Sequence, residues 1–402
     1  MSININKNSF SKDGATGIAL FDSGFRIFFM GAGIFSIVSI ALWSAIFHFQ
    51  LPLSMQSISH SQWHAHEMIY GYGIAVITGF LLTAVKNWTG VQTLHGKPLA
   101  LLFGLWVTVR LLLLTGTSYL LVAGIFDVLF SLFLIIAIGY PIVKVKQWKQ
   151  LIIFTMLILL VACNVLFYLG ALNVFDKGTY LGIYGGLYLI IGLILTMGSR
   201  VLPFFIERGV GYPVKLFNPN WLGILNLLLF LAFFVSDLFL INQTLSSYLA
   251  LGLFLINATR LIGWYTFGIW KKSLLWSLYL SFWFICIGFL LFAGIHFVGV
   301  SKVLAIHAFA VGGIGVVTMG MMSRVALGHT GRDIMKPPRG VSYALGILIL
   351  GAVARVIAPL FDVFNYAVWI GLSQVFWIIS FLVFTFIYFP LFIKPRIDGQ
   401  FG

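Results

Sequence analysis

The sequence predicts an all-α polytopic membrane protein with about twelve transmembrane helices. Of its 402 residues 61% are hydrophobic and only 8% charged, where a soluble domain carries about 25% charged residues. Mean hydropathy is +1.06. The apolar runs are continuous, which excludes the short alternating strands of an outer-membrane barrel. At roughly 20 apolar residues per span, a chain of this length accommodates twelve helices. Lys and Arg exceed Asp and Glu by 14 charges, and the excess sits in one set of loops. That placement reads as membrane orientation rather than nucleic-acid binding.

Residues 1–24 read as a cytoplasmic polar tail with Asn4, Asn6, Lys7, Lys12 and Asp13. They lack the apolar core of a cleavable signal, so the expectation is that nothing is removed. A single membrane domain follows over 25–393, and 394–402 form a second cytoplasmic tail. Apolar segments fall at about 25–48, 66–86, 98–117, 119–140, 150–170, 179–203, 220–240, 247–270, 273–297, 301–328, 341–360 and 365–393. Gly116 divides the third from the fourth, and Lys271-Lys272 the eighth from the ninth. Cys163 and Cys286 lie inside apolar runs with no C-x-x-C partner, and both read as core packing.

Loop charge gives the orientation, because translocating Lys and Arg is disfavoured. The loops after even-numbered segments hold Lys86 and Lys97; Lys144, Lys146 and Lys149; Arg200, Glu207, Arg208 and Lys215; Lys271 and Lys272; and Arg324, Arg332, Asp333, Lys336 and Arg339. The loops after odd-numbered segments hold little beyond Asp176, Lys177, Asp237, Lys302 and Asp362. Both termini are therefore expected in the cytoplasm, and the 49–63 loop outside.

The second and tenth segments align without a gap. His66 to Gly90 and His307 to Gly331 span the same interval, and share His66/His307, Gly71/Gly312, Val76/Val317, Gly79/Gly320, Thr89/Thr330 and Gly90/Gly331. A weaker third copy lies in the sixth segment, where Thr196-Met-Gly-Ser-Arg-Val201 echoes Thr318-Met-Gly320 and Ser323-Arg-Val325. An offset of four helices repeated three times implies quasi-equivalent units at about 25–140, 150–270 and 273–393. It does not match the six-plus-six plan of major-facilitator transporters.

Ionisable groups inside or at the edge of the membrane are candidates for function. His66 and His307 begin equivalent helices on the outer side. Two facing imidazoles suit a haem iron held between bundle helices, and Gly71, Gly73, Gly312, Gly313 and Gly315 beneath them would leave room for a porphyrin. Alternatively, the glycines allow close helix packing and the histidines only hydrogen-bond near the interface. Arg110 and Arg355 could pair with haem propionates, with Glu67 and Asp127 as other partners for the arginines. The stretch His60-Ser-Gln-Trp-His64-Ala-His66-Glu67 is the densest cluster of ligands. Were it helical, His60 and His64 would share one face, as a nitrogen-rich site suited to copper, with His66 directed elsewhere. His48 and His296 read as solvated membrane-edge residues. Arg260 in the eighth segment has no counterpart in the repeat.

At Trp63-His-Ala-His-Glu-Met68, Gly79-Phe-Leu-Leu-Thr-Ala-Val-Lys-Asn-Trp-Thr-Gly90 and Ser323-Arg-Val-Ala-Leu-Gly-His-Thr-Gly-Arg332 the chain closely resembles the NnrS family of bacterial inner-membrane proteins. The resemblance spans essentially its whole length. It implies a haem- and copper-containing protein of the nitric oxide response. A looser architectural likeness is to the haem-copper oxidase catalytic subunit, from which the sequence departs where the binuclear centre would lie: the sixth segment has Tyr184 and Tyr188 but no histidine. Three readings remain open. They are an oxidoreductase converting nitric oxide with electrons from a quinol or periplasmic donor, a non-enzymatic sensor or scavenger of nitric oxide or metal, and a transporter of metal or a small solute.

Overall fold

The computed structural model describes residues 17–361 and 365–402. Asn4, Asn6, Lys7, Lys12, Asp13 and Asp362 lie outside the described residues. Twelve helices are long and apolar enough to cross a membrane: α1 (Gly24–Phe49), α2 (His60–Thr89), α3 (Gly96–Leu114), α4 (Leu120–Lys144), α5 (Trp148–Ala171), α6 (Gly178–Gly209), α7 (Asn220–Leu240), α8 (Gln243–Gly263), α9 (Ser273–Phe297), α10 (Lys302–His329), α11 (Arg339–Phe361) and α12 (Tyr366–Ile393). The chain is an all-α polytopic membrane protein.

The helices pack with a period of four. α1 lies on α2, α5 on α6 and α9 on α10, and likewise α3 on α4, α7 on α8 and α11 on α12. One group of four meets the next through α4 on α5 and α8 on α9, and α12 returns to α1 to close the ring. At its centre α2, α6 and α10 touch one another. The most apolar stretch of α2 is accordingly 83% buried, whereas those of α3 and α12 are 33% buried and face lipid. Contact at the centre depends on small residues, as expected where lipid is as apolar as the side chains. A side chain at Gly186 of α6 would collide with Tyr70 of α2, whose hydroxyl donates to Gly182 O at 2.6 Å.

α2 begins earlier than its apolar run. Ser59 Oγ accepts from Gln62 N while Gln62 Oε1 accepts from Ser59 N, a capping box, and this places His60, His64 and His66 on one helix. Directly after His66 the backbone changes to a π-helical segment, Glu67–Gly73, and directly after the aligned His307 it does so again over Ala308–Gly315. Each π segment inserts into the helical register. In the first, Trp106 Nε1 of α3 donates to Gly71 O at 3.0 Å.

Both ends of the described chain share a face with the lysine-rich loops. Ala19 N donates to Ile393 O at 2.8 Å, and Gly96 N to Phe21 O at 2.8 Å. Gln147 Nε2 donates to Trp88 O at 3.1 Å. On the opposite face Thr117 N donates to Ser54 O at 3.0 Å, joining the α3–α4 turn to the 50–59 loop.

The ring is locked by Arg26, which is 0% exposed. Its Nη1 donates to the carbonyls of Leu391, Phe392 and Lys394 at 2.8 to 3.1 Å, and Nη2 to Gly402 O at 3.0 Å. The last carbonyls of α12 have no partner within their own helix, and a cation suits that negative end. Arg26→Leu should destabilise the detergent-solubilised protein by at least about 1–3 kcal/mol, the cost of an unserved buried carbonyl. Arg26→Lys should fall between the two. A melting temperature unchanged in Arg26→Leu would contradict this role.

Candidate functional site

On the face opposite the termini, polar side chains gather in three clusters, one against each central helix. The first is a buried ionic network joining α2 to α5. Arg110 of α3 donates through Nη1 to Glu67 Oε1 at 2.8 Å and through Nη2 to Asp127 Oδ2 at 3.1 Å. His66 places Nδ1 2.9 Å from Glu67 Oε1 and Nε2 3.0 Å from Asn164 Oδ1, and Phe167 stacks on its ring at 4.2 Å. Tyr168 donates to Asp127 Oδ2 at 3.0 Å. Glu67, His66 and Asp127 are each no more than 1% exposed. Although Glu67 Oε2 and Arg110 Nε have no hydrogen-bond partner, every charge here meets an opposite charge of the protein, so the network is closed in charge.

The second cluster is not. His307 places Nδ1 2.7 Å from Val303 O, one turn earlier in α10. With that nitrogen donating, Nε2 keeps its lone pair, 3.2 Å from Arg355 Nη2. Arg355 is fixed in turn by Nη1, 2.6 Å from the Tyr366 hydroxyl. His64 reaches the same place from α2: it lies within electrostatic reach of both His307 and Arg355 and is stacked on Trp43 at 4.7 Å with an interplanar angle of 8°. Its Nδ1 is buried and has no hydrogen-bond partner.

The third cluster unites Asp237, Lys302 and Tyr188. Lys302 Nζ donates to both Asp237 carboxylate oxygens at 2.8 and 3.0 Å, and Tyr188 donates to Oδ2 at 2.6 Å. The ammonium also lies over the Tyr184 ring at 4.7 Å. Sequence alone placed Asp237 and Lys302 as separate loop charges.

The structure thus pairs His66 with Glu67 and Asn164, and sets His64 within electrostatic reach of His307. Arg110 serves Glu67 and Asp127, and Arg355 serves His307. His60 Nε2 lies 3.2 Å from Leu53 O, His48 Nε2 is 3.1 Å from Gln374 Oε1, and His296 Nδ1 is 3.5 Å from Thr244 Oγ1. Among the described residues no three His, Cys, Asp or Glu side chains converge to hold a metal ion. The space beneath the histidines is occupied: side chains built at Gly71, Gly73, Gly312, Gly313 and Gly315 would meet Phe35, Ile190, Phe284, Ile285 and Trp377 in turn. Cys163 and Cys286 are free and buried. Asn164 and Tyr366 were missed in the sequence, although an asparagine in the apolar run of α5 was a visible signal.

A cavity of about 640 Å³ lies between the terminus-side halves of α2, α6 and α10. Its wall is largely apolar, including Phe29, Ile77, Leu193 and Met321, with Asn87, Arg200 and His329 among its polar residues.

The family model described as NnrS protein matches residues 19–396. The chain belongs to the NnrS family. The match takes in all twelve helices, the three clusters and the cavity, so each is a feature of the NnrS portion itself. No curated protein matches the sequence significantly.

Removing one member of the closed network should be costly. Arg110→Leu leaves two carboxylates buried without their cation and should destabilise the protein by about 3–5 kcal/mol. Adding Glu67→Gln and Asp127→Asn to Arg110→Leu should recover most of the loss, measured as the melting temperature of each variant. A triple variant no better than Arg110→Leu would mean the charges are not what the network balances.

Proposed function

We propose that this NnrS-family protein binds nitric oxide in the membrane, at a copper ion held by His64 and His307. The observation that carries the reading is the buried, partnerless Nδ1 of His64, on a ring within electrostatic reach of His307, whose Nε2 has Arg355 Nη2 as its partner. A buried polar atom without a partner is rare and costs about 1–3 kcal/mol, which a ligand at that nitrogen would relieve. Imidazole nitrogens suit copper. Copper bound there would supply the open coordination position for a neutral diatomic that side chains alone lack. Arg355, steadied by Tyr366, would present N–H donors beside it.

The residues do not fit a haem between α2 and α10. The gaps at the glycines are filled, and both nitrogens of His66 are engaged by Glu67 and Asn164. Copper alone therefore carries the proposal. Binding without turnover would make the protein a sensor or scavenger, and sustained turnover would require a quinol or periplasmic donor of electrons.

Copper content and the Cu(II) EPR spectrum of the copper-loaded protein test the assignment. His64→Ala and His307→Ala should each lose the metal, while His66→Ala should keep it despite lower stability. Retention in both of the first two variants would overturn it. Consumption of nitric oxide by the reduced protein, followed at an electrode, then separates an enzyme from a binding protein.

The lysine-bearing loops support a reading in which the terminus face lies in the cytoplasm of a bacterial inner membrane. A periplasm-active reporter fused after Gln150 should be silent, and activity there would reverse the orientation.

A transporter is the second reading, favoured by the buried Glu67–Arg110–Asp127 network, since such groups often mark ion paths. It requires flux into reconstituted vesicles that Glu67→Gln abolishes.

A further inference from the structure

α8 carries a guanidinium that no carboxylate among the described residues neutralises. Arg260 is 2% exposed and lies over the Trp264 indole at 4.8 Å. Its Nε is buried without an acceptor, and no hydrogen bond to it from the described residues accompanies that stacking. The titratable group that faces it is the buried Cys286 thiol, not a carboxylate. Arg110, Arg26 and Arg355 each have oxygen or nitrogen partners, and Arg260 stands apart from them. Cations inside a membrane are retained where they meet a counter-charge.

The counter-charge has a place to sit. Arg260 lines a cavity of about 330 Å³ between α6, α7 and α8, and Arg200 lines the same cavity. At its wall Asn218 Nδ2 donates to Ser199 O at 3.0 Å. Asn226 accepts from Asn257 Nδ2 at 2.6 Å through its carbonyl oxygen, which leaves its own amide N–H groups for a ligand. Two guanidiniums and an amide donor, with no carboxylate in the lining, make a receptor for an oxyanion. The rest of the wall mixes Thr196, Ser199 and Asn220 with apolar side chains such as Leu195, Leu227 and Phe230. Ile152 and Ile224 line it and are also 45% and 62% exposed on the outer surface of the bundle, so the cavity borders lipid. An oxyanion attached to an acyl chain matches both halves of this lining.

We propose that the cavity binds the phosphate of an acidic membrane lipid through Arg260 and Arg200. Basic pockets between helices on the positively charged face of a membrane protein are suited to such head groups. The site is distinct from the histidine cluster, and its test needs no copper.

Native mass spectrometry of the full chain with phosphatidylglycerol or phosphatidylcholine gives the first readout. The unaltered protein should retain one more phosphatidylglycerol at a given collision energy than Arg260→Leu does, and phosphatidylcholine should show no such difference. Phosphatidylglycerol should also raise the melting temperature of the unaltered protein by several degrees and leave that of Arg260→Leu unmoved. An equal shift given by inorganic phosphate alone would assign the site to a free oxyanion instead of a lipid. Arg260→Gln provides the same comparison if Arg260→Leu fails to fold. Without lipid, Arg260→Leu should be at least as stable as the unaltered protein, because an unpaired charge has gone. Equal lipid retention by the unaltered protein and both variants would overturn the proposal. So would a variant destabilised without lipid whose response to phosphatidylglycerol is unchanged, since Arg260 would then serve only to pack on Trp264.

Discussion

The double ion pair of Arg110 with Glu67 and Asp127 is the interaction on which the half of the bundle opposite the termini depends. A charge in hydrocarbon is tolerated only when its partner is close and fixed. Arg110 meets that condition twice, and in doing so binds α3 to α2 and α4. His66 and Asn164 then carry the network across to α5. The orientation of His66, and hence which histidine is left for other chemistry, follows from that demand.

The central helices show how the chain reconciles packing with function. The π segments of α2 and α10 begin one residue after aligned histidines and interrupt the helical register at the same depth. They carry Gly71 and Gly73 in α2 and Gly312, Gly313 and Gly315 in α10, so neighbouring side chains such as Phe35, Phe284 and Trp377 close on the backbone. Trp106 supplies the hydrogen bond that Gly71 needs. The result is a tightly filled region next to the histidines, with the large cavity kept to the terminus-side half of the same three helices.

Much of the fold was legible in the sequence, because a membrane span is specified by a long run of one chemistry. The twelve apolar runs correspond to the twelve helices, and the loop charges to a shared face. The start of α2 was misplaced because its first turn is polar and held by Ser59 and Gln62 rather than by hydropathy. The site was less legible. The repeat fixes the height of His66 and His307 along their helices, not the direction in which each ring points. That direction was set by Glu67 and Asn164 for His66, and by Val303 and Arg355 for His307. Spacing along one helix could not reveal that His64, a polar-turn residue before the apolar run, would share a site with α10. Lys302 and Asp237 looked like loop charges because their pairing joins two helices far apart in sequence.

Arg26 has a consequence for biogenesis. It lies at the start of the first span, and the carbonyls it serves lie 365 to 376 residues further along. During synthesis the first helix enters the bilayer with a guanidinium whose acceptors do not yet exist. Until α12 arrives, that side chain has only water and lipid head groups at the membrane edge to solvate it. Drawing Arg26 inward is therefore a late event of assembly, coupled to docking of the final helix. A chain whose α12 failed to dock would keep an exposed basic group on α1.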